Sequence, residues 1–218
     1  MMNEKNQTTI VADPLPPAFF LLGLLPSIAI ATSLIKGLCI GVIVALVFIA
    51  TNLICSLLRN RIAEAWRIPF LLTVSTLLTT LLQMNLAAFM FPVYAVLGLF
   101  VPLVAVNGLI FTRSMAVAFR RPVLTVVRDA GALSIGVVVV LTLLGGLREF
   151  VAYGSLLAGA ETLFGAHAKA WLWHPMPKNY SFILAGMAPG ALILLGMLYA
   201  LKNLIWRGSQ ADMPARPR

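Results

Sequence analysis

Six apolar runs, at about 18–35, 38–58, 68–91, 93–112, 130–147 and 182–205, take up most of this chain. Each approaches the roughly 20 residues a helix needs to cross about 30 Å of hydrocarbon. Several hold enough Val, Ile and Thr to read as strands in water, but lipid offers no partners to the edges of an open sheet. The runs therefore predict an all-α integral membrane protein with six transmembrane helices. Composition agrees: 61% of the 218 residues are hydrophobic and 11% are charged, where soluble domains carry about 25% charged residues. The mean hydropathy of +0.97 is more than a soluble fold of this size can bury.

The formal net charge is +9, yet the basic residues lie between the runs rather than along one face. That is the pattern of membrane topology and of contact with lipid, not of nucleic-acid binding. With six spans, both termini and the loops at 59–67 and 113–128 share one side. Twelve of the sixteen Lys and Arg residues fall there, which makes that side cytoplasmic. Residues 1–17 and 207–218 are then cytoplasmic tails flanking a membrane domain at 18–206. The long outer connection, 148–181, carries Trp171, Trp173, His174 and Tyr180, suited to headgroup depth. Ala29-Ile30-Ala31 resembles a leader cleavage site. The preceding residues, with Lys5 against Glu4 and Asp13, lack a positive n-region, so no cleaved leader is expected.

Residues 37–46, GLCIGVIVAL, match 132–141, ALSIGVVVVL, almost position for position. Upstream of each match lies an apolar run interrupted by proline: LLGLLPSIAI at 21–30 and LGLFVPLVAVNG at 97–108. The chain thus reads as two three-helix halves, about 18–91 and 93–205. Three is odd, so the second half is inverted relative to the first. Pro26 and Pro102 lack an N–H and clash with the preceding turn, predicting breaks in the first and fourth helices. Gly23 and Gly98 let the chain turn beside them. Two broken spans entering from opposite sides place helix ends near the bilayer centre, where a cofactor or ion would sit. Kinks tolerated by neighbouring helices are the plainer alternative.

Stretches along nearly the whole chain resemble the RnfE/NqrD family, RnfE in particular. They are LGLLPSIAIA (22–31), TNLICSLLR (51–59), EAWRIPF (64–70), GLFVPLVAVNGLIFTR (98–113), GLREF (146–150), YGSLL (153–157) and MAPGALILLGMLYALKNLI (187–205). The resemblance implies an integral subunit of an Rnf-type or sodium-pumping NADH:quinone oxidoreductase complex, with six helices as an inverted repeat. It implies as partners an RnfA-like homologue of opposite orientation and subunits of the RnfB, RnfC, RnfD and RnfG type. It also implies a [2Fe–2S] cluster shared between the two homologues, each giving two cysteines from patterns like LGLCP and VTNC. Here those segments read LGLLP and AVNG, with Leu25 and Gly108 at the ligand positions. Neither supplies the thiolate or imidazole that such iron requires. Cys39 and Cys55 lie sixteen residues apart on one expected helix, about 24 Å of rise, too far to share a cluster.

Ionisable residues in lipid are costly and mark function by default. Arg128-Asp129 opens the fifth run and Arg148-Glu149 closes it, so both pairs are expected at interfaces as ion pairs or snorkelling arginines. Asp129 and Glu149 are candidates for an ion path or for a structural role, Glu149 the better one. Asn52, Gln83 and Asn85 suit hydrogen bonding between helices. Asn107 adjoins the ligand position at Gly108 and can donate to or accept from a cofactor or water. His167 and His174 lack the further ligands of a metal site. No nucleotide-binding or hydrolytic motif occurs, so any NADH oxidation belongs to another subunit. Three readings follow: a membrane subunit coupling electron transfer to Na⁺ or H⁺ translocation, a cluster-less scaffold paralogue in such a complex, or a small-solute or ion transporter.

Overall fold

The computed structural model describes residues 25–160, 173, 182–187, 189–198 and 200. The elements are α1 (Leu25–Ile30), α2 (Leu34–Leu58), a 3-10 turn (Glu64–Trp66), α3 (Arg67–Phe89) and α4 (Phe91–Leu97). A 3-10 segment (Val101–Val106), α5 (Gly108–Arg113), a π-helical turn (Ser114–Ala118), α6 (Val123–Tyr153) and α7 (Ile183–Gly186) follow. The last described helix is α8, Pro189–Leu198. Among the described residues there are no strands, only an isolated bridge between Leu156 and Trp173.

Four stretches are long and apolar enough to cross a membrane: Leu34–Leu58, Glu64–Phe89, Val101–Ala118 and Val123–Tyr153. They correspond to the second to fifth apolar runs. Of the first run, residues 25–35 are described: α1, the turn at 31–33 and the start of α2. The sixth is interrupted within its described part, α7 ending at Gly186 and α8 beginning at Pro189.

An interruption follows each proline at a short distance, and the one ahead of Pro102 falls at Gly98, where a turn was expected. Pro26 is the second residue of α1, and the observed interruption follows Ile30. Ser33 then caps α2, its Oγ accepting from the Lys36 N–H at 3.3 Å. Pro102 stands in the first turn of the 3-10 segment, where a missing N–H costs nothing. The chain breaks on either side of it, at Gly98–Phe100 and at Asn107. Gly98 has an ordinary helical φ of −57°. Its requirement is space: a Cβ there would lie 2.7 Å from the Tyr94 ring.

The repeated segments pack on each other. A side chain at Gly37 would strike the Leu141 carbonyl, one at Gly41 would sit 3.1 Å from Val138 Cα, and one at Gly145 would strike the Ser33 carbonyl. Numbers rise along α2 as they fall along α6, so the two helices run antiparallel with backbones nearly touching. Lipid is as apolar as leucine, so burial alone gives helices little reason to associate; close approach over small residues does. Ile40, Val44, Val47 and Phe48 of α2 share one buried cluster with Val137, Leu141 and Leu144 of α6. Leu46, Leu57, Leu77, Leu81, Ile135 and Leu143 are exposed, as lipid-facing side chains would be.

One end of this pair gathers the basic turns. Arg59 Nη1 donates to the Arg121 carbonyl, the Arg67 guanidinium lies 5.6 Å from the Phe119 ring centroid, and Arg113 meets Asp129. α6 has 31 residues, about 46 Å at 1.5 Å each. It runs through both charged pairs that were expected to bound it. Gly154, in left-handed conformation at φ 59°, ends it.

Candidate functional site

The two interrupted segments meet at Ser27 and Asn107. Asn107 precedes α5 with extended backbone, φ −68° and ψ 123°, and its Oδ1 accepts the Leu109 N–H at 3.0 Å. That backbone donor fixes the amide's orientation, leaving Nδ2 to donate to Ser27 Oγ at 3.3 Å. Asn107 and Ser27 are 0% and 1% exposed. The polar groups freed by the broken segment find partners on α3: Ser75 Oγ donates to the Ala105 carbonyl at 2.8 Å and Gln83 Nε2 to the Gly98 carbonyl at 3.3 Å. Below the junction Ser114 Oγ donates to Asn52 Oδ1 at 3.2 Å, and Asn52 Nδ2 donates to the Phe48 carbonyl at 2.7 Å. Of the amides expected between helices, Gln83 and Asn52 bond there. Asn85 instead returns to the Leu81 carbonyl of its own helix.

Neither charged pair is an ion pair between sequence neighbours. Arg148 and Glu149 are both 0% exposed, and neither bonds to the other. Arg148 Nη1 donates to the carbonyls of Ile28 (2.9 Å), Ala29 (3.3 Å) and Ala31 (2.9 Å). Its Nε reaches Ala185 (3.2 Å), and Nη2 reaches Gly186 (2.8 Å) and Met187 (3.2 Å). The guanidinium thus satisfies the orphan carbonyls at the C-terminal ends of α1 and α7. Glu149 faces the opposite kind of end. Its Oε2 accepts the Leu34 N–H at 3.0 Å and its Oε1 the Ala158 N–H at 2.6 Å, a carboxylate at the positive end of α2. Since both charges are met by backbone dipoles, the helix continues past them to Tyr153. Asp129 takes Arg113, not Arg128, in a two-pronged pair, Nε–Oδ2 2.9 Å and Nη2–Oδ1 2.5 Å.

The donor set for metal chemistry is poor. The family-type ligand positions are Leu25, in α1, and Gly108, the first residue of α5, and neither has a donor atom in its side chain. Cys39 is half-buried and Cys55 buried, both on α2. Among the described residues no three His, Cys, Asp or Glu side chains converge to hold a metal. The residues present do not fit this chain's share of an iron–sulfur cluster. His167 and His174 lie outside the described residues, as do Trp171 and Tyr180.

Sequence reasoning missed Ser27, Arg113 and Ser114. An Asn-Gly step before an apolar helix is a readable capping signal for Asn107, but the partner it would meet across the fold is not.

Apolar antiparallel helices, interrupted segments and buried charges on backbone groups together define a multi-pass helical membrane protein. The chain belongs to the family described as "Rnf-Nqr subunit, membrane protein", whose profile matches residues 7–199. It is 36% identical over 228 aligned positions to the E subunit of the ion-translocating oxidoreductase complex of Pseudomonas paraeruginosa (strain DSM 24068 / PA7), covering 100% of this chain and 95% of the relative. With the protein of that name from Pseudomonas aeruginosa (strain LESB58) identity is 39% over 185 positions, covering 85% and 78%. With that of Thioalkalivibrio sulfidiphilus (strain HL-EbGR7) it is 36% over 196, covering 90% and 86%.

Proposed function

We propose that this chain is the E-type membrane subunit of an ion-translocating oxidoreductase complex in a bacterial inner membrane. There it works beside a homologous membrane subunit and redox-active subunits. The observation that carries this reading is similarity along the full chain to relatives bearing that name, joined to a helical fold with interrupted segments meeting in its interior. Broken helices at a common junction serve solute transport equally well; the family relationship decides between them.

The antiparallel packing of α2 on α6, which carry the repeated segments, supports an inverted repeat of two halves. Exposed Arg61, Arg120, Arg121 and Arg128 at the basic end support a cytoplasmic orientation for that end. They also offer charge to anionic lipid or to a cytoplasmic electron-donor subunit. Both oxygens of Glu149 are engaged by backbone N–H groups and both oxygens of Asp129 by Arg113. We therefore assign these carboxylates to structure rather than to an ion path.

Leu25 and Gly108 favour a version of the subunit that supplies no cluster ligand. A [2Fe–2S] group in the assembly would then depend on ligands from other chains. Purification of the tagged chain from its native membranes tests the assignment. Flavin- and iron–sulfur-bearing subunits are expected to come with it in fixed ratio. Isolation of the chain alone, or only with copies of itself, would contradict it.

A further inference from the structure

Among the described residues Arg148 is the largest fully buried side chain, and none of their carboxylates pairs with it. Its neighbour Glu149 is engaged elsewhere. What surrounds the guanidinium is six backbone carbonyl oxygens at 2.8–3.3 Å, three from the end of α1 and three from the end of α7. Five N–H donors face six acceptors, so the group has no hydrogen-bonding capacity left for a substrate or an anion. The acceptors come from segments about 155 positions apart along the chain. The Met187 carbonyl also accepts the Ala191 N–H at 3.3 Å; the buried carbonyls of Ile28, Ala31 and Ala185 would lose a partner without the cation, which is costly.

We propose that the carbonyls of Ile28, Ala29, Ala31, Ala185, Gly186 and Met187 form a cation-binding cage whose resident ligand is the Arg148 side chain. The cage takes a planar guanidinium-type cation and is not a general electrostatic pocket. Its donors are used in two sets, Nη1 toward α1 with Nε and Nη2 toward α7, and only a flat fork with donors on several edges serves both at once. An ammonium has three donors on a single point and leaves part of the ring unmet. By holding α1, the cage also positions Ser27, and through it the Asn107 junction.

The test is chemical rescue of Arg148→Ala in the full chain within its complex, followed by thermal unfolding of the detergent-extracted assembly. Low-millimolar guanidinium chloride, sodium chloride and urea are compared. The variant is expected to melt well below the native chain, with guanidinium raising its midpoint saturably while sodium and neutral urea do not. The native chain, its cage filled, should show no rise. Arg148→Lys should recover only part of the loss. Equal rescue by sodium or urea, no rescue by guanidinium, or a lysine variant as stable as the native chain would overturn the proposal. If Arg148→Ala fails to accumulate, abundance in membranes of cells grown with each additive is read the same way, since stability losses of this kind change abundance several-fold. Stability and abundance are read rather than electron transfer, so failure here leaves the functional assignment standing, and the reverse.

Discussion

The Leu34 N–H, at the start of α2, donates to Glu149 Oε2 at 3.0 Å, joining positions 115 apart in the chain. The same carboxylate takes the Ala158 N–H through its other oxygen, next to Leu157, whose backbone is held at a left-handed φ of 66°. One side chain therefore fixes the start of one repeat helix, the end of the other, and the strained turn beyond it.

Glu149→Gln is expected to destabilise the assembly by about 1–3 kcal/mol, because the amide can present only one oxygen to two buried N–H donors. Thermal unfolding of the purified complex measures it. A midpoint unchanged from the native chain would remove Glu149 from this role.

The glycines separate into two classes. Gly37→Ala forces a methyl into the Leu141 carbonyl, and such overpacking costs roughly 1–3 kcal/mol. Gly136, which the repeat aligns with Gly41, has open space around its missing Cβ. Gly136→Ala should be neutral or stabilise by up to about 1 kcal/mol. Melting of the two variants side by side checks the register of α2 on α6.

The second to fifth apolar runs were legible because hydrophobicity and length answer directly to lipid. Even the helix-packing surface was partly written in the repeat, since its first half holds Gly37 and Gly41. What could not be read were partners supplied by the backbone. Arg148 and Glu149 look like a neighbouring ion pair in sequence, yet carbonyls and N–H groups from distant breaks meet them instead. The pairing of Arg113 with Asp129 was hidden for a related reason: their approach depends on the π-helical turn and the chain reversal between them. Pro102 and Gly98 marked the interruption at 98–100, but nothing in the apolar pattern marked the second one at Asn107.

Asn107→Ala should lose a helix cap worth about 0.5–2 kcal/mol together with its bond to Ser27. In a double-mutant cycle with Ser27→Ala, a coupling of about 0.5–1.5 kcal/mol is expected for the one hydrogen bond. Strict additivity would show that the two segments do not meet there.

Cys39→Ala and Cys55→Ala should leave the iron content of the purified complex unchanged, since the two thiols stand about 24 Å apart along one helix and neither belongs to a group of three possible metal ligands among the described residues. Loss of iron in either variant, measured against protein with electron paramagnetic resonance of the reduced complex, would reverse that conclusion.

The most direct test of the account is ion uptake by inverted membrane vesicles driven by NADH, with sodium and protons followed separately. Cells with the chain, cells lacking it and complemented cells are compared. One of the two uptakes is expected to fall in the deletion and return with the chain. Identical uptake of both ions in all three preparations would contradict it.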